Sequence, residues 1–243
     1  MPDSLRFDAV TFDYWNTLMR IPESGQWDRR IDSFTDVLIA EGHGVTQADI
    51  VEAFAAMREL HEQAWIDNRQ HGAVEAVEDV LLAAGVEAQP EVVDQLVELT
   101  VTYGTSEDAV PTDGIADALA TLKDAGLRIG IVCDVGITGS PTLRRHLEHH
   151  GLISWFDHWS FSDEVGVYKP HAEIFQHALA GLGAEPGRTA HIGDLRRTDA
   201  GGARAMGMTS VRYRGAYEDP DTHLPDADHV IDHHDQLAAL LLG

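Results

Sequence analysis

Two contrasting patterns along the chain predict an α/β fold with an inserted helical domain. After Pro111, short apolar runs that read as strands alternate with amphipathic helices, which is typical of a parallel sheet covered by helices on both faces. Between residues 21 and 110, apolar residues recur at helical spacing instead, after a first strand candidate at Phe7–Asp13. We therefore predict a doubly wound, Rossmann-like parallel sheet core (residues 1–20 and 111–243) with an inserted α-helical cap domain (residues 21–110).

The individual elements follow from periodicity, helix caps and glycine stops. Four apolar stripes predict about four helices in the cap, the first of them containing Trp27 and Leu38. Thr46, with Asp49 three residues on, is typical of a helix N-cap. The later predicted elements are helix Ile115–Ala125, strand Ile129–Cys133, helix Thr142–His150, a short strand near Trp159–Ser162, helix Ala172–Leu182, strand Thr189–Asp194, helix Asp199–Met206, strand Thr209–Tyr213, strand His229–Ile231 and helix Asp235–Leu242.

Composition limits the classes of partner. The chain has 243 residues, of which 17 are basic and 41 acidic, for a formal net charge of −24. Nucleic acids and anionic membrane surfaces attract basic patches, so we expect neither as a partner. One cysteine excludes an internal disulfide framework, and no apolar run reaches the roughly 18 residues of a membrane span. No signal peptide is visible, so we predict a cytoplasmic protein. We also expect the protein to be a monomer or a homodimer.

Two of the predicted strands end in an acidic residue, Asp13 and Asp194, and a third is followed directly by Asp134. In a doubly wound sheet, the ligand crevice lies beyond the carboxyl ends of the strands. Crowded carboxylates stay ionised only beside a compensating cation or strong hydrogen-bond donors. Because oxygen ligands without a Cys/His cluster favour a hard ion, we expect Mg²⁺ as the cofactor.

Four short motifs occur in order at these strand ends. They are Asp13-Tyr14-Trp15-Asn16-Thr17-Leu18, Ile131-Val132-Cys133-Asp134, Lys169-Pro170, and Gly193-Asp194 followed by Asp199. Together they resemble the motifs of haloacid dehalogenase (HAD) superfamily hydrolases that carry a helical cap of the first insertion type (C1). The resemblance covers nearly the whole chain and implies the same sheet, with the cap after its first strand.

The resemblance implies a role for the charged motif residues. Asp13 would be the nucleophile that forms an aspartyl-phosphate, which divides one difficult displacement into two steps. Lys169 would pair with Asp13 and with the phosphoryl oxygens, where it would stabilise developing charge. Asp13, the backbone carbonyl of Trp15 and Asp194 would hold Mg²⁺, and Asp199 would either bind the ion directly or hold one of its ligands.

Other motif residues would contact the substrate. The backbone amides of Asn16 and Thr17 would cradle a phosphate group. Cys133 takes the catalytic Ser or Thr position of the second motif, although a thiol is only a weak donor. Asp134 follows it, where its charge would oppose an anionic substrate unless it is protonated, turned away or paired. Arg20, just past the first motif, is a further candidate for substrate contact.

Trp15 is the largest departure from the family pattern. HAD phosphatases usually carry at this position an Asp that protonates the leaving group and activates water, and tryptophan does neither. General acid–base catalysis contributes roughly 10²–10⁴-fold. The haloacid dehalogenases carry an aromatic Tyr here, which favours chemistry at carbon, whereas the intact Gly193-Asp194…Asp199 motif favours a metal-dependent phosphatase. We count the Trp15 side chain among the candidate substrate contacts.

The leading hypothesis is a Mg²⁺-dependent phosphatase of a small phosphorylated metabolite. The alternatives are a carbon-centred hydrolase such as a dehalogenase, and a catalytically degenerate binding protein. The predicted cap has 19 acidic and 4 basic residues, and its field would disfavour highly charged anions. We therefore expect a substrate with one phosphate group or fewer.

Overall fold

A six-stranded parallel sheet is the main sheet of the structure, a computed structural model that describes residues 6–22, 26–102 and 109–243. The strands are β1 (Ala9–Phe12), β2 (Met19–Arg20), β3 (Val110–Pro111), β4 (Arg128–Cys133), β5 (His158–Phe161), β6 (Thr189–Gly193), β7 (Thr209–Tyr213) and β8 (His229–Ile231). The main sheet has the order β5-β4-β1-β6-β7-β8, which confirms the predicted doubly wound α/β fold. β2 and β3 form a separate antiparallel ribbon, which the sequence analysis missed because two-residue strands have no readable period.

Helices occupy most of the remaining described chain. They are α1 (Gln26–Ala40), α2 (Gln47–Ile66), α3 (Ala73–Ala83), α4 (Pro90–Thr102), α5 (Ile115–Asp124), α6 (Ser140–His149), α7 (Ser162–Val165), α8 (Ala172–Leu182), α9 (Gly201–Ala205) and α10 (Gln236–Leu242). In place of the predicted helix Asp199–Met206, the structure has a π-helical turn, Arg196–Ala200, followed by α9. Within the described ranges, no helix combines the length and the apolar character needed to cross a membrane.

The strand register brings three chain segments together at one edge of the sheet. Phe12, the last residue of β1, pairs with Ile131 of β4 on one side and with Ile192 of β6 on the other. β4 and β6 are almost fully buried, as expected for parallel strands covered on both faces. The residues that follow β1, β4 and β6 are therefore neighbours, although they are far apart in sequence.

The helices α1 to α4 confirm the predicted helical block. Thr46 and Asp49 form a capping box at the start of α2, in which each residue's backbone N–H donates to the other's side chain, at 2.8 and 3.3 Å. The apolar core of this unit contains Phe34, Leu38, Ile50, Ala53, Phe54, Met57, Ala76, Val77, Val80, Leu81, Val92, Leu96 and Ile137. Leu38 of the first predicted stripe lies in this core, whereas Trp27 of the same stripe is 38% exposed.

The chain divides into two compact units. One contains Ala109–Asp134, His146–Gly243 and the described residues up to Pro22, and the other contains α1 to α4 together with Val135–Arg145. The predicted boundaries placed residues 135–145 in the α/β core. The structure groups this segment with the helices, because Ile137 lies in their apolar core and Arg30 Nη2 donates to Thr138 Oγ1 at 3.2 Å.

Gly202 of α9 packs closely against Phe175 of α8. A Cβ atom built on Gly202 would lie 2.5 Å from Phe175 Cε2 and 3.3 Å from Pro170 Cβ. Phe175 is fully buried in the apolar layer between the sheet and α8. Its ring has little freedom to move away, since such interiors are close-packed.

We expect Gly202→Ala to lower the free energy of unfolding by about 1–3 kcal/mol, because the added methyl group overpacks the contact with Phe175. Gly187→Ala is the matched control, since a Cβ there has no heavy atom within 4 Å, and its change should stay within about 0.5 kcal/mol. Urea denaturation of the three proteins measures the difference. Equal stability of the two variants would contradict the packing argument.

His234 is a fully buried histidine between β8 and α10. Its ring stacks on Tyr213, with centroids 4.0 Å apart and planes 20° from parallel. Burial lowers the pKa of His234 from 6.5 to about 4, so the folded protein holds it neutral near pH 7.

Between pH 6.5 and 4, the unfolded chain therefore binds a proton at His234 that the folded chain does not. The stabilisation is complete above pH 6.5 and is lost as the pH falls toward 4, by on the order of 3 kcal/mol for a shift of this size. We expect the difference in free energy of unfolding between wild type and His234→Gln to shrink over this interval. Other groups titrate in both proteins and cancel in the difference between them. A difference in free energy of unfolding that does not change with pH would therefore contradict the lowered pKa of His234.

Candidate active site

The carboxyl ends of β1, β4 and β6 carry the residues of the predicted site. Asp13 follows β1 directly, and its backbone N–H donates to Ile192 O at 2.7 Å, which extends the strand pairing by one residue. Cys133 ends β4 and Gly193 ends β6, so that Asp134 and Asp194 emerge on either side of Asp13. The structure thus brings together side chains that the sequence separates by more than a hundred positions.

A buried lysine lies between two carboxylates of this site. Lys169 Nζ is 2.5 Å from Asp13 Oδ1 and 2.7 Å from Asp199 Oδ1, and the side chains of all three residues are at most 7% exposed. Burial acts to lower the pKa of Lys169, but Asp13 and Asp199 outweigh it and raise the pKa well above its ordinary value. Lys169 is therefore a fixed positive charge that holds the proposed nucleophile in place.

Asp199 is the most strongly bonded carboxylate in the site. In addition to Lys169, it accepts hydrogen bonds from His191 Nε2 at 3.1 Å and from the Leu195 backbone N–H at 3.0 Å. Burial acts to raise the pKa of Asp199, but the charge of Lys169 and the bond from His191 reverse this effect and hold the pKa well below its usual range. Asp199 is thus the permanent anion to which Lys169 and His191 bind.

Sequence reasoning missed His191, which lies on β6 and is buried. Because Nε2 donates to the Asp199 carboxylate, Nδ1 is left to accept, and the Thr11 hydroxyl is 2.9 Å from it. Burial lowers the pKa of His191, which agrees with a neutral ring in this arrangement. The sequence signal that could have identified His191 was its polar side chain inside a predicted strand. The structure buries every residue of this strand, β6, so a polar side chain there needs a partner.

Three carboxylates form a cluster that fits a cation. Ligand oxygens of Asp13, Asp194 and Asp199 all lie within 4.8 Å of one another, and all three residues are buried. Burial raises the pKa of Asp13 to about 7, with a smaller opposing effect from Lys169. Burial and then the charges of Asp13 and Asp199 raise the pKa of Asp194 well above its usual range.

The cluster places three buried carboxylates beside one ammonium group, so Lys169 alone does not neutralise them when all three are ionised. Oxygen-only ligands with such an excess of negative charge suit a hard divalent cation, so the donor set fits Mg²⁺. The backbone carbonyl of Trp15, the fourth predicted ligand, stays a prediction.

A buried arginine anchors the loop between Asp194 and Asp199. The Arg196 backbone N–H donates to Asp219 Oδ2 at 2.7 Å, and its guanidinium donates to Asp219 O at 2.8 Å and to Asp226 Oδ2 at 3.2 Å. These bonds tie the π-helical turn to the segment that follows β7. The sequence did not single out this network, because its acidic members lie more than twenty residues from Arg196.

The turn after β1 holds its shape through backbone hydrogen bonds. The amides of Leu18 and Met19 both donate to Tyr14 O, at 3.0 and 2.9 Å. Asn16 has a φ of 56°, in the left-handed region that Asn tolerates better than most residues. Its backbone N–H donates to Met19 O at 2.7 Å, so this structure does not offer that amide to a phosphate as predicted. Its side-chain amide instead donates to Asp194 Oδ2 at 3.2 Å.

Trp15 and Thr17 occupy the same turn in different environments. The Trp15 side chain is half-buried, and its ring lies edge-on to Tyr14 with centroids 4.7 Å apart. Thr17 is fully buried, and its Oγ1 has no hydrogen-bond partner among the described residues. Their substrate contacts stay predictions, as does that of Arg20, whose side chain is exposed on β2.

Cys133 and Asp134 have distinct electrostatic states. Burial raises the pKa of the fully buried Cys133 thiol well above its ordinary value, so it is a neutral thiol at pH 7. Asp134 Oδ1 accepts a hydrogen bond of 2.8 Å from the Lys169 backbone N–H, and burial raises its pKa to about 6. Asp134 is therefore paired with the backbone, which is one of the arrangements that the sequence analysis left open.

Comparison with known proteins identifies the family. A sequence model of haloacid dehalogenase-like hydrolases matches residues 7–207. The chain is 33% identical over 131 residues to a glyceraldehyde 3-phosphate phosphatase of Pyrococcus furiosus, and the match covers 53% of each protein. The chain thus spans about half the length of this curated relative.

Solved structures share the fold. A HAD phosphatase from Thermococcus onnurineus is 23% identical with a TM-score of 0.65, over 97% of this chain and 98% of the other. An L-2-haloacid dehalogenase from Xanthobacter autotrophicus is 18% identical with a TM-score of 0.60, over 98% of this chain and 99% of the other. Since the family match extends over most of the sequence, the chain belongs to the haloacid dehalogenase-like hydrolases.

Proposed function

We propose that this protein is a Mg²⁺-dependent phosphatase that acts through an aspartyl-phosphate on Asp13. The observation that carries the proposal is the cluster of Asp13, Asp194 and Asp199, in which buried carboxylates are in excess over Lys169. Such a site favours a cation, and a cation beside a nucleophile suits the binding of a phosphoryl group. The matched relatives named glyceraldehyde 3-phosphate phosphatase support the same activity.

The site residues would divide the reaction into two steps. A carboxylate oxygen of Asp13 attacks phosphorus, the ester P–O bond breaks, and the leaving oxygen departs with the bonding electrons and takes a proton from solvent. Water then attacks the phosphorus of the aspartyl-phosphate and gives up a proton to solvent, and the bond between phosphorus and the Asp13 oxygen breaks, which releases phosphate and restores Asp13. Lys169 keeps Asp13 oriented throughout, since Asp199 holds its ammonium from the other side.

Asp13, Asp194 and Asp199, with the carbonyl of Trp15, would hold Mg²⁺, which when bound offsets the charge of the carboxylates and of the phosphoryl group. The proposed substrate is a small metabolite with one phosphate group. Glyceraldehyde 3-phosphate, which the names of the relatives specify, is the first compound to test. A cytoplasmic location agrees with such a substrate and is part of the proposal.

The first prediction concerns the nucleophile and the metal. We expect phosphate release from a panel of small phosphate esters that depends on Mg²⁺ and stops with EDTA. Asp13→Asn should lower the rate more than about a thousand-fold, because the amide is a far weaker nucleophile. Colorimetric phosphate detection measures both effects.

The control for this experiment is Asp117→Asn, which makes the same chemical change at an exposed position of α5. It should retain wild-type activity. Phosphate release that persists in Asp13→Asn, or that is indifferent to EDTA, would contradict the proposed mechanism.

The second prediction concerns Trp15, whose indole cannot exchange a proton with the leaving group. We expect Trp15→Asp to raise kcat for alkyl phosphates by about tenfold or more, since a carboxyl group there could act as a general acid. For p-nitrophenyl phosphate, whose leaving group needs no proton, kcat should change much less. Trp15→Phe is the control and should raise neither rate; an equal effect on both substrates would contradict this explanation.

A second candidate function is the displacement of halide from a 2-haloacid, in which Asp13 attacks carbon. The aromatic side chain of Trp15 is the observation that favours it. Halide release without metal, together with no phosphate release from the ester panel, would replace the phosphatase proposal with this one.

A further inference from the structure

The C-terminal segment contributes a buried histidine to the turn that follows the nucleophile. His234 Nε2 lies 2.9 Å from the backbone carbonyl oxygen of Thr17 and 3.0 Å from Thr112 Oγ1. Thr112 Oγ1 is itself 2.6 Å from the Thr17 carbonyl. Two side chains from distant parts of the sequence therefore converge on one peptide group of the turn.

The chemistry of these groups assigns the hydrogen atoms. A carbonyl oxygen only accepts, so the short contact with Thr17 requires that His234 Nε2 carry its hydrogen. Nδ1 is then unprotonated, and it has no hydrogen-bond partner among the described residues. Burial lowers the pKa of His234 to about 4, which keeps the ring neutral and in this donor form.

The ring itself has little freedom to move. His234 is fully buried and stacks on Tyr213 at a centroid distance of 4.0 Å. Thr112 also fixes the turn from the same side, because its backbone N–H donates to Leu18 O at 3.0 Å. The donors that meet the Thr17 carbonyl therefore belong to a rigid frame.

We propose that His234 is a positioning residue, which fixes the Thr17 peptide and thereby the phosphate-binding turn beside Asp13. This inference rests on the proposed function, since it assigns the turn to phosphoryl binding. Fixing the Thr17 carbonyl restricts rotation of the peptide that follows Thr17, and so restricts where the backbone N–H and Oγ1 of Thr17 can lie. His234 lies beyond residues 7–207, the region that the family match covers.

Three variants test the proposal. His234→Leu removes the donor with a side chain of similar size, and His234→Gln keeps an N–H donor that can reach the position of Nε2. His223→Leu makes the same change at an exposed histidine and serves as the control. For each protein we would measure KM for the preferred phosphate ester and the inhibition constant of inorganic phosphate, in buffer with Mg²⁺.

We expect both constants to rise about tenfold in His234→Leu, to return to within about threefold of wild type in His234→Gln, and to stay unchanged in His223→Leu. These constants do not depend on the fraction of folded enzyme. A purely structural role would therefore lower the total rate and the Tm and leave both constants unchanged, which would overturn the proposal.

The outcomes for the two proposals are separable. Suppose that the wild-type enzyme hydrolyses phosphate esters, and that the inhibition constant of phosphate is the same for wild type and His234→Leu. This result would overturn only the proposed role of His234. A wild-type protein that hydrolyses no ester would contradict the proposed function, and calorimetric titration with inorganic phosphate then decides the role of His234. Equal affinity of wild type and His234→Leu, or no phosphate binding by wild type, would overturn it.

Discussion

The buried ion pairs of Lys169 are the interaction on which the rest of the site depends. An ammonium group with almost no solvent contact is stable only when anions surround it, and Asp13 and Asp199 supply them at 2.5 and 2.7 Å. Asp199 is held in turn by His191 and by the backbone of the loop after β6. The nucleophile is therefore part of a connected network, and its orientation follows from residues on three segments of the chain.

The same network leaves a charge imbalance that bears on function. Lys169 neutralises part of the negative charge, and the raised pKa values of Asp13 and Asp194 show that the remaining carboxylates are poorly stabilised as anions. Burying more carboxylates than the neighbouring ammonium can neutralise lowers the stability of the folded protein unless a cation compensates their charge. That cost is a reason to expect a metal site here rather than a purely structural cluster.

The residues that depart from the family pattern have different structural surroundings. Asp134 accepts a hydrogen bond from the Lys169 backbone N–H, so the acidic residue at this position has a local structural role. Asn16 adopts a left-handed backbone conformation that a glycine would otherwise provide. Trp15 has no such compensation among these contacts, and its indole has no group that can exchange a proton near neutral pH.

The sequence by itself determined the α/β fold class, the helical block and the four motifs, because hydrophobic periodicity, capping residues and strand-end acids are local signals. It also identified Asp13, Lys169, Asp194 and Asp199, which the structure brings into one cluster. Only the tertiary structure revealed His191 behind Asp199 and His234 beneath Thr17. Both contacts join residues that no local pattern relates, since strand order and the packing of the C-terminal segment decide which distant side chains meet.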